Sequence, residues 1–177
     1  MNERRMTTQD VLDAIARERG RLSSAVDSLG SGVANVPVTA EGWTAKDVLA
    51  HCIHWVTQVA FGLGVALAPP VYMMEGRRRR EGTGVSNPPM PTGAESNALA
   101  VAFYQDWTFE RVRSELDGLV DAVAERASAR SDDQMNATDA VPWLPGRPLW
   151  HIIGGETFLH WPEHSEAIER AAAEASR

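Results

Sequence analysis

Five histidines are the residues of this sequence best suited to chemistry, and they fall in two short stretches. His51 and His54 stand in "GWTAKDVLAHCIHW", while His151, His160 and His164 stand in "PLWHIIGGETFLHWPEH". Neutral imidazole ligates divalent metals and exchanges protons near neutral pH. Two imidazoles four residues apart on one helical face, as at His160 and His164, suit zinc, nickel or iron. A catalytic metal also needs a third protein ligand and an open position for water. The plainer alternative is that each is a hydrogen-bonded core or interface histidine.

These side chains must be placed by helices. At about 100° per residue, Leu149, Ile153, Thr157 and Ile168 form an apolar stripe on a last helix read from Pro148 into the alanine-rich tail. His160 and His164 fall inside that stripe, Glu156 at its edge and His151 well away from it. Glu163 points outward, so Glu156 is the better candidate for a general base. Pro162 lies between the paired histidines, where a helix interior would bend. On the second helix, His51 lies on the flank of the apolar face formed by Val48, Cys52, Ile53, Val56, Val59 and Leu63. His54 points further out and reads as structural, and Cys52 reads as a small core residue.

The remaining helices follow from periodicity and caps. Val11, Ile15, Leu22, Val26 and Leu29 line one face of a helix over about residues 8–29. Thr44 and Asp47 resemble a capping box that opens the second helix, expected to run to about Leu67. A connection over about residues 68–95, rich in proline, glycine and arginine, is long enough to be a lid or a crossover. A further helical leg begins near Glu95 and breaks around Asp106–Trp107. Thr108 then caps a helix through about Ser128, with Val112, Leu116, Leu119 and Val123 inward. Strand signals are poor, so the expected fold class is all-α, a four-helix bundle in a single domain over residues 1–177.

Composition narrows the function classes. The chain has 177 residues, 44% of them hydrophobic and 23% charged, as ordinary soluble proteins do. A net charge of −7 argues against a nucleic-acid partner, and no long apolar run signals a membrane span. One cysteine rules out an internal disulfide framework and fits a reducing, cytoplasmic location. No Gly-x-Ser-x-Gly elbow, phosphate loop or cysteine-rich zinc motif occurs. Arg77–Arg80 reads as a solvated loop, or as a mobile element that recruits an anionic substrate group.

Three stretches resemble the DinB-like four-helix-bundle superfamily, and within it the ClbS/DfsB-like branch of colibactin self-resistance proteins. "GWTAKDVLAHCIHW" is similar to that superfamily's helix-two signature. "SNALAVAFYQDWTFERVRSELDGLVDAV" is similar to its middle region, and "ETFLHWPEHSEAI" to the pattern closing its last helix. The resemblance implies helices in up-down-down-up order and metal ligands His51, His160 and His164. Likeness to mycothiol-dependent maleylpyruvate isomerases makes Glu156 a second-choice ligand.

The first expectation is therefore a metal-dependent hydrolase, or a thiol-dependent transferase or isomerase, acting on a small-molecule substrate. Its cofactors would be a divalent metal (Zn, Ni or Fe) and a low-molecular-weight thiol. The alternative is a metal-free ClbS/DfsB-like protein that detoxifies or sequesters an electrophile, with Trp43, Trp55 and Trp161 lining its pocket. A third reading is a non-enzymatic interaction bundle. A homodimer is the expected assembly.

Overall fold

Short polar signals start the long helices. In the computed structural model, which describes residues 5–32, 35–65, 75, 91–141 and 146–177, α1 spans Thr8–Ser28 and α2 spans Ala45–Gly62. Thr7 and Thr44 accept from the backbone N–H groups of Asp10 and Asp47, whose carboxylates reach back to the cap N–H. Each such box satisfies two donors that a helix start otherwise leaves unpaired. Thr92 and Glu95 repeat the device for α3, Gly93–Phe103, and Thr108 caps α4, Phe109–Ser128. The second helix ends four residues or so before the expected Leu67, because Gly64 turns the chain at φ 72.

Among the described residues there is no strand, only an isolated bridge between Pro37 and Thr44. The fold is all-α, as the periodicity predicts. Two pairs of contacts fix helix directions. Lys46 at the start of α2 donates to the Trp107 carbonyl just before α4, and Arg126 near the end of α4 donates to the Leu63 carbonyl just past α2. These helices therefore run parallel. Arg19 pairs with Asp117 and Asp121, and Arg113 with Asp27, so α1 runs antiparallel to α4. The up-down-down order of the first three long legs follows.

The core is one contiguous apolar cluster running from Met6 to Ile168. Helix α2 lies at its centre: Val48, Ile53 and Val56 are fully buried, and so is Cys52. Two short helices were not expected. Helix α5, Asp132–Met135, falls in a stretch that reads as a linker; Ser131 caps it and Met135 is fully buried. The last expected helix is in fact two, α6 over Leu149–Gly155 and α7 over Trp161–Ala175, joined by a turn.

Pro162 explains that break. An unbroken helix would need its missing N–H to bond the Phe158 carbonyl and would press its ring against that carbonyl. Instead the chain turns, with the N–H groups of His160 and Trp161 both donating to the Thr157 carbonyl. Pro162 then sits in the first turn of α7, where no N–H is required. Gly154 permits the turn to pack closely, since a Cβ there would lie 2.6 Å from the Phe158 ring.

Most of the 68–95 connection, including Arg77–Arg80, lies outside the described residues. Among the described residues no helix is long and apolar enough to cross a membrane.

Candidate functional site

Helix α2 and the start of α7 bring His51, His160 and His164 together. His51 Nε2 lies 3.1 Å from His160 Nε2, which lies 2.9 Å from His164 Nε2. All three candidate donor atoms fall within 4.8 Å of one another, the signature of a possible metal-binding group among the described residues. The rings meet edge to face, with centroids 4.6–5.0 Å apart. His51 is buried, and the other two are half-buried.

Electrostatics keep the cluster neutral. Burial, reinforced by its two imidazole neighbours, pushes His51 down to about 3. Burial and His160 push His164 down to about 4, and burial also lowers His160. At neutral pH none of the three carries charge, so their lone pairs are available to a proton or a cation. The contacts constrain the protons. A nitrogen holds one proton, so His160 Nε2 satisfies both neighbours only as an acceptor from His51 and His164 Nε2–H. The other consistent state has all three lone pairs facing a shared cation. Three lone pairs facing one another with nothing between them would repel.

The triad sits in the wall of an open cavity of about 620 Å³. The loop before α2 contributes Trp43, whose ring centroid is 5.4 Å from that of His51. Helix α3 contributes Asn97, and α7 contributes Glu163 and Arg170. The Trp55 indole, a donor only, gives its N–H to Asn97 Oδ1 at 3.0 Å. That bond fixes the amide, leaving its NH₂ as a donor beside the cavity.

The other singled-out residues are distributed elsewhere. Glu156 caps the end of α6 and lines a separate small cavity with Gln58, Val59, Leu63 and Leu149. Burial pushes its carboxyl up to about 7, with Arg147 partly opposing the shift. The structure thus brings the three histidines together but not Glu156. The carboxylate beside the triad is Glu163, whose charge opposes the lowering of His160. Glu163 is exposed, as expected, and it lines the open cavity from its outer side.

His54, expected to point outward, is 1% exposed and packs edge-on against Trp55, with burial lowering its pKa to about 4. Cys52 is buried as expected, and burial pushes its thiol far above the ordinary range. Trp161 is fully buried in the core and lines a different cavity from Trp43. His151 lines a third cavity near the start of α1.

No family model matches the chain, and neither does any curated protein. Solved structures do match. An uncharacterised protein from Escherichia coli UTI89 superposes with a TM-score of 0.67 at 14% identity, covering 96% of this chain and 95% of that one. The colibactin self-resistance protein ClbS, in complex with a dsDNA, superposes with a TM-score of 0.66 at 14% identity, covering 93% of this chain and 94% of that one. The expectation of no nucleic-acid partner, drawn from net charge, is corrected by the second match. A protein of this fold is described on dsDNA, and net charge sums a whole surface whereas phosphate contacts are local. The chain has the fold of ClbS, an all-α fold spanning nearly the full length of both proteins.

Proposed function

We propose that the chain is a detoxification protein of the ClbS-like kind, acting on an electrophilic small molecule held in the triad cavity. The observation that supports it best is the convergence of three neutral imidazoles in the wall of an open cavity beside Trp43. A neutral imidazole keeps a lone pair that can take a proton. One imidazole of the triad, giving up its hydrogen bond to a neighbour, takes a proton from a water as that water attacks the electrophile. The Trp43 face packs against the apolar part of the ligand, and Asn97 donates to a ligand oxygen. The fold shared with a self-resistance protein supports the same reading.

A second reading, that of a DinB-like metalloenzyme, rests on the donor set. Three imidazole nitrogens within 4.8 Å fit a divalent metal such as zinc, nickel or iron. Bound there, such a metal would supply Lewis acidity and lower the pKa of a coordinated water. It ranks second because metal-bound histidines normally donate their other ring N–H to a fixed partner. Here Nδ1 of His51 and Nδ1 of His160 are buried without a hydrogen-bond partner. In the metal state both would be unpaired donors, whereas in the proton-sharing state His160 Nδ1 is an unpaired donor and His51 Nδ1 an unpaired acceptor.

The test is consumption of alkylating probes, such as aryl epoxides and α-haloketones, by the purified chain with and without chelator. Histidine-dependent consumption that survives chelation supports the first reading. Loss on chelation and recovery with added zinc supports the second. Equal consumption by wild type and a His51→Ala, His160→Ala, His164→Ala variant contradicts both.

A further inference from the structure

Helix α7 carries a cation along the same wall as the histidines. Glu163, Ala167 and Arg170 line the cavity as an i, i+4, i+7 stripe, and Arg170 lies six residues beyond His164. At 1.5 Å per residue that is about 9 Å along the helix axis. Arg17, Arg19, Arg21 and Arg113 are all held by carboxylates. Arg170 is exposed and has no ion pair or hydrogen bond among the described residues. Ala167, small and half-buried, leaves the space between the triad end and the guanidinium clear of a large side chain.

The other charges define how much anion the cavity accepts. Glu41 and Glu163 line it too, so with neutral histidines its wall carries two carboxylates and one guanidinium. A ligand with negative charge along its whole length would meet repulsion at both glutamates. A ligand with one terminal anion meets a planar fork of donors at Arg170 and an amide donor at Asn97.

We propose that Arg170 is a specificity-determining residue, binding the single carboxylate of an otherwise neutral, partly aromatic substrate whose reactive end faces the histidines. The inference rests on the function proposed above, and it orients the ligand. The carboxylate sits toward the middle of α7, the aromatic portion lies against Trp43, and the electrophilic atom faces His160.

Binding of a matched probe pair, 4-phenylbutyrate and 4-phenylbutyramide, to the full chain tests this. Imidazole NMR shifts of His51 and His164 report occupancy, and calorimetry gives affinity. The wild type is expected to prefer the carboxylate by about fivefold to tenfold, less at high salt. Arg170→Gln removes that preference and leaves amide binding unchanged, while Arg170→Lys keeps part of it. Circular dichroism verifies that the exposed substitution leaves the fold intact. No preference in the wild type, a preference that persists in Arg170→Gln, or binding of neither probe overturns the inference. Consumption of the alkylating probes decides the proposed function separately, since that assay needs no carboxylate.

Discussion

Replacing Glu156 with glutamine should stabilise the protein at alkaline pH and leave it unchanged under mild acid. Glu156 is half-buried at the end of α6, and burial raises its carboxyl from 4.5 to about 7. A group with a raised folded pKa binds more protons folded than unfolded, so its ionisation costs stability as pH climbs through that window. The rise from 4.5 to about 7, at about 1.36 kcal/mol per pH unit, sets a ceiling near 3.4 kcal/mol above pH 8. Partial solvent exposure reduces that to about 1–2 kcal/mol. Glutamine has nearly the same shape and no charge to desolvate. For a chain of this size 1 kcal/mol moves Tm by about 2–4 °C. Thermal melts should therefore place Glu156→Gln about 2–8 °C above wild type at pH 8 and level with it at pH 4. A constant difference across that range, or a less stable variant at pH 8, would refute the burial argument.

Other outcomes follow from the same physics. The histidines act in the opposite direction, because His51 and His164 have folded pKa values of about 3 and 4, below the unfolded value near 6.5. Their contribution is present above about pH 6.5 and is lost as pH falls, so a His51→Gln, His164→Gln variant should lose about 1–2 kcal/mol less than wild type between pH 7 and 5 in denaturant titrations. Pro162→Ala should cost no more than about 1 kcal/mol, through the freer unfolded chain. A gain of about 3 kcal/mol in the same melts would mean the proline sits in a helix interior after all. Cys52 should resist iodoacetamide at pH 8 in the native protein and react once denaturant opens the core, as mass spectrometry would record.

Some of this architecture is legible in the residues themselves. Thr44 with Asp47, and Thr108, mark helix starts because a short side-chain oxygen is what an unpaired N–H needs. The stripe Val11, Ile15, Leu22 and Val26 faces the core as its spacing requires. The meeting of His51 with His160 and His164 came from resemblance, since the wheel left His51 on a flank. The break at residues 156–160 is hidden because one apolar period continues across Pro162. The burial of His54 is hidden for a different reason. Periodicity describes one helix, whereas burial of its second side depends on neighbours, here Trp55 and the elements packed around α2. The chemistry of the site was visible as residue types, but not its partition between a proton-sharing triad and a metal centre. That depends on where the orphan Nδ1 atoms sit.

The measurement closest to the proposed function is the rate at which the purified, chelator-treated chain hydrolyses an aryl epoxide at pH 7, beside its His51→Ala, His160→Ala, His164→Ala variant. The expected result is diol formation by the wild type well above the buffer rate, and none above it by the variant, with both proteins equally folded by circular dichroism. Equal rates in the two proteins would contradict the assignment of the triad as the working centre.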